Sequence, residues 1–154
     1  MRKAILSLLC VLLIAAAVGC RHNTQAPPTP QIVLDQTLVS ASGLCKTVSI
    51  GLRAVDEGID QVQADDPEYY TAVKGWLVKI AKANDKAIAA VKLAQAGDTA
   101  VDWKGAMLNI ATEATAGDPS TFAVKNPKSQ QTFRLIAETL TGVLATIQNT
   151  FGGK

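Results

Sequence analysis

Six acids fall within thirteen residues of this chain (Asp56, Glu57, Asp60, Asp65, Asp66 and Glu68), and no base stands among them. Carboxylates at that density suit a hard cation such as calcium, yet the Asp-x-Asp-x-Asp-Gly alternation of a calcium loop is missing. The group therefore reads first as a solvated, self-repelling turn and second as a surface for a protein or a cation. The opposite sign is concentrated further on. Lys74, Lys79, Lys82, Lys86 and Lys92 recur along a helical stretch on the side away from its apolar residues. A solvated face explains them, and so does contact of Lys79, Lys82 and Lys86 with an acidic partner or anionic head groups.

Catalytic chemistry is harder to assemble. The single histidine, His22, sits among prolines, so no Ser-His-Asp or Cys-His set can be built in the remainder. Two-metal helical bundles need Glu-x-x-His pairs on facing helices. Haem attachment, zinc spacing and a glycine-rich phosphate loop are absent from the sequence as well. The chain reads as non-enzymatic, with no cofactor or metal expected. Two lone polar groups fall inside apolar patterns. Cys45 is expected to be buried or else to pair between chains, and Asn84 to act as a buried register device.

The positioning elements are all helical. Leu34, Leu38, Ala41, Cys45, Val48, Leu52, Val55, Ile59 and Val62 are spaced alternately four and three, a heptad seam with a period near 3.5 and a left-handed twist. Gly43, Gly51 and Gly58 interrupt it on propensity; they are expected to admit a close neighbour or to mark a break. Asp65-Asp66-Pro67-Glu68 turns the chain, with Asp66 as cap and Pro67 at the first helical position. A second seam follows: Tyr69, Val73, Trp76, Ile80, Ala83, Ala87, Val91, Ala94. Gly97 ends it, and Asp98 or Thr99 starts a third helix carrying Ala100, Trp103, Met107, Ile110 and Ala114. Phe122 and Val124 are expected to plug the bundle end. After Asn126-Pro127 the last seam is Phe133, Ala137, Leu140, Leu144, Ile147 and Phe151. The expectation is an all-α, antiparallel, up-down-up-down four-helix bundle, with helices at about 32–64, 67–96, 100–116 and 127–151.

Ahead of that domain, residues 32–154, the chain changes character. Arg2 and Lys3 precede an uncharged run, Ala4 to Val18, which is shorter than the about 20 residues needed to cross a bilayer. Its proportions are those of a secretory signal peptide, residues 1–19. Residues 20–31 hold Pro27, Pro28 and Pro30 and read as an extended linker.

The run ends Ala17-Val18-Gly19-Cys20, which resembles the lipobox of bacterial lipoproteins, with Ala17 where Leu is usual. The resemblance implies cleavage before Cys20, lipid on its thiol and acylation of the new amino terminus. With Arg21 rather than Asp next, it also implies the outer membrane, facing the periplasm. Ala15-Ala16-Ala17 fits ordinary signal peptidase and keeps a soluble periplasmic or secreted protein open. Losing Arg2 and Lys3 leaves thirteen basic residues against thirteen acids. A neutral chain has little electrostatic reason to bind nucleic acid. The expected role is a lipid-anchored spacer or adaptor with a protein partner in the envelope. The alternative is a helical module that binds a small ligand.

Overall fold

The computed structural model describes residues 30–117 and 126–152. The expected signal peptide, Cys20, His22, most of the linker, and Phe122 and Val124 lie outside the described residues. The chain is all-α: α1 Pro30–Ile59, α2 Pro67–Gln95, α3 Trp103–Ala116 and α4 Pro127–Phe151, with a 3-10 turn at Asp60–Val62 and no strand among the described residues. The chain divides into Met1–Ile32 and Val33–Lys154, and the packed core belongs to the second unit.

Local chemistry sets the helix ends. Asp66 caps α2 by accepting from the Tyr69 N–H at 3.3 Å, with Pro67 in the first turn, where a missing N–H costs nothing. At the other end Gly97 takes φ +94°, the left-handed conformation glycine tolerates best. Its N–H reaches the Ala94 carbonyl at 3.1 Å and the Asp98 N–H reaches Leu93 at 3.0 Å, a Schellman closure.

Two boundaries differ from expectation. α1 ends as an α-helix at Ile59 and tightens through the 3-10 turn, after which the Asp65 and Asp66 N–H groups share the Val62 carbonyl. α3 begins at Trp103 rather than near Ala100. Asp102 is its cap, accepting from the Gly105 N–H at 2.8 Å, while Asp98 closes a local turn onto the Ala100 N–H at 2.9 Å.

Burial follows the seams. On α1, every seam residue from Leu38 to Ile59 is buried, and Val62 follows in the 3-10 turn, but Leu34 is 40 % exposed. The reason is the length of its neighbour: Gln95, the last residue of α2, donates to the Leu38 carbonyl, so α2 stops before it can cover Leu34. On α2 the seam is buried from Tyr69 to Val91, and Leu77, Asn84 and Ala90 widen it; Ala94 is half-buried. Trp103, Met107, Ile110 and Ala114 of α3 and Phe133, Leu140, Leu144, Ile147 and Phe151 of α4 complete one core. Contacts between α1 and α2 run in opposite chain directions: Leu38 with Gln95, Cys45 and Ser49 with Asn84, Asp56 with Lys74. Trp103 meets Phe151 edge-on at 5.7 Å, and Tyr69 meets Phe133 at 5.8 Å. Trp76 donates from Nε1 to the Ala114 carbonyl at 3.0 Å, and its ring lies so close to Gly117 that a side chain there would collide with it.

Gly43 and Gly51 do neither of the things expected of them. A Cβ at either would meet no atom within 4 Å, so no helix approaches closely, and α1 runs unbroken through both. By length and composition the stretch Val33–Val62 could also cross a membrane.

Candidate functional site

The acidic group is not one surface. Lys74 of α2 reaches Asp56 Oδ1 at 2.6 Å and Asp60 Oδ1 at 2.8 Å, and the Tyr70 hydroxyl donates to Asp60 at 3.3 Å. These bonds, first the one from Lys74, hold the Asp60 carboxyl below its usual range; the two carboxylates in turn raise the Lys74 ammonium. Glu57 pairs with Arg53 at 3.1 Å along an exposed helix face. Asp66 is buried as the α2 cap and is not part of an outer surface. Asp65 and Glu68 remain exposed. Lys74 is therefore a clamp between α1 and α2 and not a member of the solvated lysine face. The expected self-repulsion is relieved by a base eighteen residues away from Asp56.

The lysines separate on the helix surface. At about 100° per residue, Lys74 and Lys92 lie about 140° to one side of Tyr69, whereas Lys79, Lys82 and Lys86 lie about 80–140° to the other. That second flank faces α3. Lys79, Lys82, Ala83 and Lys86 line a shallow groove with Asn109 and Glu113, of about 170 Å³. Buried Ala83 is its floor, and the lysines stand exposed on its wall. Among the described residues none of the three lysines makes an ion pair, nor does Glu113. Three positive charges thus face one negative charge across a concave surface.

A buried polar knot ties α1, α2 and α3. Asn84 donates from Nδ2 to the Cys45 carbonyl at 3.2 Å and to the Ser49 hydroxyl at 2.8 Å, while its own Oδ1 has no partner. The Cys45 thiol is free and buried, 3.3 Å from the Met107 sulfur, and burial pushes its pKa up. A protonated, enclosed thiol is a poor nucleophile. Tyr69 and Ser129 each bury a hydroxyl without a partner, and burial with the nearby Asp66 charge raises the Tyr69 phenol. Among the described residues no group of three or more His, Cys, Asp or Glu side chains is disposed to hold a metal ion.

Sequence reasoning singled out Lys79, Lys82 and Lys86 but missed Asn109 and Glu113 opposite them. Their places about 80–120° off the α3 seam were the available signal. Nothing local could have revealed Ser49 and Met107 as partners of Asn84 and Cys45. No protein-family model, curated protein or solved structure matches the chain.

Proposed function

We propose that this protein is a non-enzymatic envelope lipoprotein, held at the outer membrane by lipid on Cys20 and facing the periplasm. Its helices form an up-down-up-down antiparallel bundle that acts as a spacer or adaptor for a protein partner. One observation carries the reading: all four helices bury their apolar seams in a single core. The outer faces are thereby left for contact with other molecules. Opposed contacts along α1 and α2 support the antiparallel order. The Ala-Val-Gly-Cys sequence at 17–20 supports the anchor, and two or more acyl chains hold a protein firmly where one holds marginally. The groove between α2 and α3, at about 170 Å³, is well under the about 300–1,000 Å³ of ordinary ligand pockets and does not itself support a small-ligand module.

Mass spectrometry of the mature amino terminus, with fractionation of wild type and Cys20→Ser, tests the anchor. The expected result is an acylated Cys20 and a wild-type protein that sediments with membranes while the variant does not. A mature chain starting at Val18, or a Cys20→Ser protein that still sediments, overturns it.

A further inference from the structure

We propose that the groove between α2 and α3 docks an acidic helical segment of a partner protein. The inference rests on the adaptor reading and names the partner's chemistry. Its first support is the contrast between lysines of one helix. Lys74 is consumed by Asp56 of α1 and Asp60 of the 3-10 turn, whereas Lys79, Lys82 and Lys86 make no ion pair among the described residues and share their groove with a single carboxylate, Glu113. Clustered, unneutralised cations in a concave site focus a field on an approaching anion.

Spacing gives the second support. Residues three and four apart on a helix rise about 4.5 and 6 Å along its axis, so the three ammonium stems span about 10 Å. A partner helix with carboxylates at i, i+3 or i+4, and i+7 repeats that ladder. An extended strand shows one side chain per face about every 6.6–6.8 Å and falls out of step.

Shape favours a convex partner over a flat one. A groove of about 170 Å³ takes several carboxylate heads side by side. A flat bilayer meets the exposed lysines but leaves Ala83 and the floor between the two walls uncovered. Asn109 and Glu113 add neutral and accepting groups on the opposite wall, which a helix carrying a Ser, Thr or Lys on its flank can satisfy.

The test is a nuclear magnetic resonance titration of the chain with four probes. These are a helical peptide with Glu at the matching spacing, a peptide of equal charge with Glu at alternate positions, inorganic phosphate, and vesicles containing anionic lipid. The expected result is saturable shifts confined to residues 79–86 and 109–113 with the helical peptide, binding at least five-fold weaker with the alternate peptide, and steep weakening with salt. Lys79→Glu/Lys82→Glu/Lys86→Glu is expected to abolish those shifts. The milder Lys→Gln triple variant, with an unchanged circular dichroism spectrum and Tm, guards against a folding defect. Equal response to both peptides, shifts spread over Lys46, Lys92 and Lys104, or binding only of vesicles or phosphate would overturn the proposal. Such results would leave the adaptor reading standing, since envelope crosslinking of the wild-type protein reports on partners at any face. Recovery of no crosslinked partner alongside tight helical-peptide binding would instead count against the adaptor and for the groove.

Discussion

Asn84 offers a sharp test of the core. The residue is 2 % exposed, gives both Nδ2 hydrogens to α1 and leaves Oδ1 unpartnered. Asn84→Ala removes two hydrogen bonds worth about 0.5–1.5 kcal/mol each. It strands neither old partner, because the Ser49 hydroxyl still donates to the Cys45 carbonyl at 3.1 Å. It also relieves the buried Oδ1, an uncompensated acceptor costing about 1–3 kcal/mol. These effects oppose each other, so alanine is expected to change stability by no more than about 2 kcal/mol, including the small void left behind. Asn84→Asp is different. It keeps the shape, loses the donors and sets a carboxylate against the Cys45 carbonyl, where an unpaired buried charge costs about 3–5 kcal/mol. Burial raises the pKa of such an aspartate above its unfolded value of about 3.9. The loss is then full above the folded pKa and shrinks as pH falls toward the unfolded value. Urea unfolding at pH 7 and pH 4, followed by circular dichroism, measures it. The Asp variant should be far weaker than wild type at pH 7 and closer to it at pH 4. A gap below about 1 kcal/mol at pH 7, or one that does not narrow in acid, would falsify the claim that position 84 is enclosed in the core.

Gly51→Ala should stabilise by about 1 kcal/mol, since its new methyl meets nothing within 4 Å and the helix gains propensity; a rise of roughly 2–8 °C in Tm is the readout, and a fall would mean that a neighbour does reach that face. The Lys74 clamp predicts a pH window. Asp60 has its folded pKa lowered, so its contribution is present above about 3.9 and is lost as pH falls through the folded value; Lys74 has its pKa raised, so its contribution is full below about 10.4 and fades above its folded value. Lys74→Met should therefore flatten the acid limb of the stability profile, and an unaltered limb would dismiss the clamp. Iodoacetamide at pH 8 should leave the Cys45 peptide unmodified until denaturant is added. Rapid native labelling would show that α1 opens there.

Much of the core was legible because helical burial is periodic. From Leu38 to Val62 and from Tyr69 to Val91 the alternation of four and three coincides with buried positions. Caps beside proline were legible for the same local reason, as Asp66-Pro67 shows. What escaped was set by neighbours. Leu34 belongs to the pattern but outruns α2, and Asp102 won the cap over Asp98 because only its carboxylate lies within reach of Gly105. The lysines were misgrouped for a subtler reason. "Away from the seam" covers more than half of a helix circumference, and its two flanks face different partners. Lys74 went to α1 and Lys79, Lys82 and Lys86 to α3, a distinction the wheel contains but a two-sided division of it discards.

That α1 is apolar enough to span a bilayer bears on where the chain resides. Its apolar character has two sources. Leu38, Ala41, Cys45, Val48, Leu52, Val55 and Ile59 face the shared core, and Val33, Leu34, Val39 and Ile50 stand exposed outside it. Moving α1 into lipid would uncover the matching faces of α2 and α3 and break the bonds from Asn84 and Lys74. It would also carry Lys46, Arg53, Asp56 and Glu57 toward hydrocarbon, at about 2.5–3.5 kcal/mol for a lysine, arginine or aspartate near the centre. Both costs act against the same transfer, and lipid contact for Val33, Leu34, Val39 and Ile50 offsets only part of them. The apolar surface of α1 is thus better satisfied by the other helices than by a bilayer.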